Sequence, residues 1–155
     1  MIYDAPNVQK SLPTVECVLY EAQRQALPPT LLVAVMHTEN GKIGEFSKNN
    51  NGSYDVGPMQ INTLWLKDIA LWTRTSAENV AMALAYDGCA NVAVGAYLLR
   101  RAITQTGDVW KGVAKYHSGT PQIGATYAWR VAAQLEKVNR HSDLRTSIQK
   151  LRALN

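Results

Sequence analysis

The segment HTENGKIGEFSKNNNGSYDVGPMQIN, residues 37–62, holds a carboxylate where an apolar run gives out. Leu31 to Met36 is the longest strongly apolar stretch of the chain, and Glu39 stands three positions beyond it. If residues 31–39 form one helix, Leu32, Val35 and Met36 share the face of Glu39. Its carboxyl then emerges at the edge of a core. Desolvation raises the pKa of such a group, and so does the negative end of a helix dipole. A glutamate kept protonated near neutral pH can act as a general acid. The plain alternative is a helix-end glutamate facing water. The loop that follows, crowded with Asn, Gly and Ser and ending in Gln60-Ile61-Asn62, favours an acid set in a groove.

The elements that must position this group read as almost all helical. Thr14 can cap a helix whose apolar residues Val15, Val18, Leu19, Ala22 and Ala26 recur at helical spacing, ended by Pro28-Pro29. Thr30 can cap the next, from Leu31 to about Glu39, which is apolar nearly all round and so should be the central buried helix, with Gly41 placed to stop it. Residues 42–58 read as a loop with an Asn-Gly turn at 51–52. Asn62 or Thr63 starts a helix through Leu71, and Ser76, Asp87 and Asp108 look like caps of three more. The helix after Asp87 carries Cys89, Val92, Ala96, Leu99 and Ile103 on one stripe, and Gly107 closes it. After a loop SGTPQIG, a last helix runs from about Ala125 to Asn139. Residues 1–140 read as one domain and 141–155 as a polar, basic tail, either helical and docked or frayed.

Composition narrows the class. At 155 residues, with 46% apolar and 18% charged side chains, the chain suits one folded domain rather than a disordered segment. No apolar run approaches the roughly 20 residues of a membrane span. The start MIYDAPNVQK lacks the pattern of a signal peptide, which leaves a cytosolic protein or a processed, exported one. A net charge of +4 is compatible with an anionic polymer and equally with simple solubility. The basic residues Lys137, Arg140, Arg145, Lys150 and Arg152 come without any helix-turn-helix or zinc pattern, so nucleic acid is not expected as a partner. His37, His117 and His141 have no ligand spacing, and no metal is expected. Cys17 and Cys89 allow two readings: buried thiols, or one disulfide and with it an oxidising compartment.

Taken jointly, the motifs resemble the lysozyme-like, SLT-type lytic transglycosylases, from about Cys17 to Val131. The helix ending Glu39-Asn40-Gly41 is followed by Gly57-Pro58-Met59-Gln60-Ile61-Asn62, then by Asn91, Gly95 and Leu98, then by Tyr116-His117-Ser118-Gly119, and finally by Tyr127 and Val131. Pro58 departs from the usual Leu or Ile, and His117 from the usual Asn. The NGSYD loop and the placement of the cysteines resemble the small branch associated with type IV secretion and conjugation.

The resemblance implies a mainly α, lysozyme-like fold with at most a small β-hairpin near residues 51–57. It implies cleavage of the MurNAc–GlcNAc bond of peptidoglycan, with ring closure to a 1,6-anhydro product and no cofactor. Glu39 would be the catalytic acid and then base. Gln60 and Tyr116 would hydrogen-bond sugar or glutamate, Met59 would line the groove floor, and Ser53, Asn62 and Tyr127 would make further polar contacts. It also implies a Cys17–Cys89 disulfide, a periplasmic location, peptidoglycan strands as substrate, and components of a secretion or conjugation machine as candidate partners. NGSYDVG resembles the loop of animal-type lysozymes as well, where Asp55 would be a second carboxylate and the enzyme a hydrolase; in the transglycosylase reading Asp55 is only an electrostatic partner. A non-catalytic peptidoglycan-binding module is a third reading, one that would not require a protonatable group at Glu39.

Overall fold

Seven α-helices, one 3-10 turn and a small sheet follow one another within residues 8–140 of the computed structural model, which describes those residues and 148–151. Helix α1 spans Val15–Arg24, and Thr14 caps it by accepting a hydrogen bond from the backbone N–H of Cys17. Helix α2 spans Pro29–Glu39. Its cap is Pro28 rather than Thr30, because a proline is well suited to the first helical position, where no N–H is needed, and Pro29 takes that place. Residues Leu31 to Met36 are all buried, so α2 is the axis of the core. It packs chiefly against α7, the helix at Pro121–Arg140.

Asn40, in the left-handed conformation at φ 50°, ends α2, not Gly41. Gly41 acts by what it lacks. A Cβ there would run into the carbonyl of Gly57, so its missing side chain lets the loop close against the end of α2. The β element is wider than a hairpin at 51–57. Strands β1 (Phe46–Lys48), β2 (Tyr54–Val56) and β3 (Ile61–Asn62) form an antiparallel sheet in chain order, with Ser47 opposite Asp55 and Asp55 opposite Asn62. Its two-residue third strand is held by burial of Val56 and Ile61, a same-face pair.

Asn62 caps a single 3-10 turn at Thr63–Trp65, and α3 (Leu66–Thr73) continues from it. Ser76 caps α4 (Ala77–Tyr86), Asp87 caps α5 (Gly88–Thr106), and Asp108 caps α6 (Val109–His117), as their side-chain types require. Helix α7 begins at Pro121, earlier than the expected Ala125, and runs to Arg140. Proline suits a helix start, and Gly124 lets this first turn sit against the carbonyl of Ala114 on α6. Of the basic tail, residues 148–151 are helical, with Ile148 and Leu151 buried in the main core. His141, Arg145 and Arg152 lie outside the described residues.

Cys17 of α1 and Cys89 of α5 form a disulfide with Cα atoms 5.8 Å apart. It closes a loop over a sequence separation of 72. Restricting so long a loop in the unfolded chain stabilises the fold by roughly 4 kcal/mol. Replacing both cysteines by Ser is therefore expected to lower the unfolding free energy by about that amount. The check is a shift of the urea midpoint at constant slope; a midpoint that does not move would contradict it.

Candidate active site

Glu39 lies on the wall of a cleft of about 700 Å³, bordered by the asparagine loop, by β3, by α5 and by the end of α6. Its position follows from α2. A helix that buries Leu31 to Met36 and Thr38 delivers its last residue to the rim, where the left-handed turn at Asn40 sends the backbone away. Burial raises the pKa of its carboxyl from 4.5 to about 7, against the opposing effect of a hydrogen bond from Tyr127. The charge of Asp55 raises it further, and that of Arg130 opposes.

The Tyr127 hydroxyl donates to Glu39 Oε1 at 2.5 Å. Oε2 carries no hydrogen bond among the described residues, so it is the oxygen left to carry the proton. Tyr127 is 2% exposed and belongs to the buried stripe Gly124, Tyr127, Val131 of α7. Its ring stacks flat on His117, centroids 4.3 Å apart. Its hydroxyl is thus engaged by the glutamate, and Tyr127 is not among the residues that border the cleft. His117 is itself pushed below its usual pKa by burial and by Arg130.

Two expectations are corrected. Met59 is fully buried and does not line the groove: its side chain fills the space opposite Gly95, where a Cβ would collide with its sulfur. Only its backbone serves the site, since its carbonyl accepts from the Tyr116 hydroxyl at 2.9 Å. Ser53 is 7% exposed, and its hydroxyl is saturated, donating to Asn51 and accepting from Asn49 and Asn62. It braces the loop.

Asn62 does border the cleft, but its amide is spent. The NH2 group donates to Ser53 and to Asp55 Oδ1, and Oδ1 caps the turn at Leu64. Gln60 also borders the cleft, with φ 51°. That strained backbone is maintained by Nε2 donating to the carbonyl of Gly57, and it leaves Oε1 without a partner among the described residues. Tyr116 and Asp55 share the lining.

Asn91 is the support that composition alone does not reveal. It is fully buried on α5, accepts from the N–H of Met59, and donates to the carbonyls of Val56 and Leu84. One side chain thus fixes the loop that carries Gln60. Arg130 is a functional neighbour that the motifs do not mark, yet it follows Tyr127 by three positions on the same helix and reaches the carbonyl of Thr38. That spacing is the signal that could have found it.

The Transglycosylase SLT domain matches residues 16–137, which is most of the chain. The chain belongs to the Transglycosylase SLT family. Among curated proteins, it is 30% identical over 106 residues to "Invasion protein IagB" of Salmonella typhimurium, a match spanning 68% of this chain and 63% of the relative. It is 31% identical over 106 residues to "Protein IpgF" of Shigella flexneri, spanning 68% of this chain and 66% of that protein. The match thus covers just under two thirds of either relative. The helical core with its small sheet is the lysozyme-like fold of the SLT family. No helix among the described residues is long and apolar enough to cross a membrane.

The Tyr127–Glu39 bond leads to an expected result for Tyr127→Phe. The hydroxyl stabilises the carboxylate form of Glu39. Removing it raises the pKa of Glu39 beyond about 7, so the limb of the pH–rate profile that falls on the alkaline side should move to higher pH. The rate itself should drop about tenfold or more through loss of a charge-assisted hydrogen bond. An alkaline limb that stays in place, or moves down, would contradict the assignment.

Proposed function

We propose that the chain is a peptidoglycan lytic transglycosylase, cleaving the β-1,4 bond between MurNAc and GlcNAc. The observation that carries this reading is a single carboxyl, Glu39, raised to about 7 and locked by Tyr127 on the wall of a cleft. Protonated, it gives its proton to the glycosidic oxygen as the bond to the anomeric carbon breaks. The muramyl acetamido group steadies the cation that develops there. Glu39, now a carboxylate, takes the proton of the muramyl 6-hydroxyl while that oxygen closes onto the anomeric carbon. The glutamate is regenerated and the product is 1,6-anhydro-MurNAc. Gln60 Oε1 and the hydroxyl oxygen of Tyr116, whose proton is given to Met59, are the polar groups we assign to sugar contact.

The second reading, a lysozyme-type hydrolase, is favoured by one observation: Asp55 borders the same cleft and raises the pKa of Glu39. Against it, Asp55 Oδ1 is engaged by Asn62 across the β2–β3 ladder, an arrangement suited to holding the sheet rather than to attacking a sugar. A digest of purified sacculi analysed by mass spectrometry separates the two. Muropeptides lighter by one water at the muramyl end support the transglycosylase; reducing ends overturn it in favour of the hydrolase; no soluble product, with binding retained, supports the binding module.

The disulfide suits an oxidising compartment, and a periplasmic enzyme that opens the wall locally for a secretion or conjugation apparatus is the setting we infer. The name of the IagB relative points to invasion for that protein.

A further inference from the structure

Two adjacent arginines on α5 are used differently. Arg100 is spent on structure: Nε and one terminal nitrogen donate to the carbonyls of Gln25 and Ala26, just past the end of α1. Arg101 makes no such bond. Its guanidinium carbon lies 5.7 Å from the ring centroid of Trp65 and equally 5.7 Å from that of Trp72. The two indoles are 6.2 Å apart, and Tyr97 abuts Trp72 edge to face at 5.2 Å. Aromatic rings contributed by the 3-10 turn and by α3 therefore converge on one cation, and Tyr97 of α5 backs the second of them.

A cation–π contact of this kind attracts a guanidinium to the rings without using its N–H donors in hydrogen bonds. No carboxylate neutralises it among the described residues, where the ion pairs are Arg24–Glu21 and Arg140–Glu136. Arg101 and Trp65 nonetheless line the same cleft as Glu39 and Gln60. Leu98, Arg101, Ala102 and Gln105 lie at the spacing of one helical face, so α5 presents Arg101 along the cleft wall. An unpaired guanidinium fork held beside two aromatic rings is matched to a carboxylate, which it can bind with two parallel N–H bonds.

Resting on the reading of the chain as a peptidoglycan enzyme, we propose that Arg101 is a carboxylate-binding subsite of the cleft. It selects glycan strands that carry an acidic substituent over uncharged polymers of N-acetylglucosamine. Two sources supply that chemistry: the lactyl carboxylate of muramic acid on strands stripped of peptide, and the carboxylates of the stem peptide on intact strands. Trp65 and Trp72 position Arg101, and Trp65 shares its wall of the cleft.

The test measures binding with the full-length chain carrying Glu39→Gln, so that nothing is consumed. Arg101→Gln and Arg101→Lys are compared with Arg101 by tryptophan fluorescence, using amidase-stripped glycan, peptide-bearing soluble strands and chitooligosaccharides. Arg101→Gln is expected to weaken binding of acidic strands about tenfold at low salt and to leave chitooligosaccharide affinity within about twofold. Arg101→Lys should recover part of the loss, and added salt should erase the difference between variants. A loss on stripped strands identifies the lactyl carboxylate; a loss confined to peptide-bearing strands identifies the stem peptide. An equal loss on chitooligosaccharides, or no loss on any ligand, overturns the subsite. The enzymatic reading fails separately, in the sacculus digest of the unmutated chain, so either idea can fall without the other.

Discussion

Glu39→Gln should abolish release of soluble glycan and, in the same protein, strengthen the fold at alkaline pH. The first effect follows from the loss of the transferable proton on which the proposed reaction depends. A positioned general acid supplies about 10²- to 10⁴-fold, and here the same group must also act as the base, so the loss should lie at or beyond the upper end. The second follows from linkage. Folding raises the pKa of Glu39 from 4.5 to about 7, so the folded state favours the protonated form. Stability from that preference is fully present below the unfolded value and is lost as pH rises through about 7. The difference corresponds to about 3 kcal/mol. Glutamine remains neutral, keeps the shape of the side chain, and can still accept from Tyr127 through its amide oxygen. Urea unfolding at pH 4 and pH 8 should show variant and parent nearly equal at the lower pH, with the variant more stable by up to about 3 kcal/mol at the higher. A rise in stability without loss of activity would show the buried carboxyl to be a strain unrelated to catalysis. A loss of activity without the pH-dependent gain would mean that Glu39 is not held in a desolvated place.

This trade between stability and proton donation is legible in the chain because it is local. The apolar run from Leu31 to Met36 and the glutamate just beyond it belong to one helix, and the period of a helix is enough to place the carboxyl at the rim of the core. The caps Thr14, Ser76, Asp87 and Asp108 are legible for the same reason: each acts within three residues of itself. What the spacing does not convey is partnership across the chain. Tyr127 and Glu39 are 88 residues apart, and the tyrosine reads equally well as a core residue or a ligand contact until α7 is seen lying against α2. Met59 misleads because a signature residue beside a site is expected to face it, whereas the small side of Gly95 draws its thioether inward. The first strand escapes notice because Phe46-Ser47-Lys48 is short, with two of its three residues exposed, and takes its shape from pairing with β2. The Arg101 cluster combines residues from three elements whose convergence no periodicity encodes.

Asn91→Ala should be the most damaging change outside the cleft, because this side chain is the joint between the loop and the helices. The amide reaches three backbone groups on two segments: the N–H of Met59 at 2.8 Å, the carbonyl of Val56 at 2.8 Å and that of Leu84 at 2.9 Å. All these bonds are buried, so no solvent replaces them when the amide is removed. A buried polar group left unpaired costs about 1–3 kcal/mol, and an alanine orphans these groups while opening a cavity, which puts the expected loss on the order of 4 kcal/mol. Leucine restores the volume and relieves none of the hydrogen bonding, so Asn91→Leu should fare little better. Asn91→Asp separates the contributions. Its oxygen can still accept from Met59, but as a carboxylate it faces the carbonyls of Val56 and Leu84 with no proton to offer, whereas the neutral acid can donate to one of them. Its stability deficit should therefore shrink as pH falls, unlike that of the alanine variant. Activity should decline further than the unfolded fraction accounts for, because Met59 supplies the carbonyl that holds Tyr116, and Gln60 is its neighbour on the cleft wall. Urea unfolding and glycan release measured on the same samples test both parts. A deficit below about 1 kcal/mol for Asn91→Ala would mean that the loop keeps its shape by sheet pairing alone, as a single hydrogen bond is worth about that much.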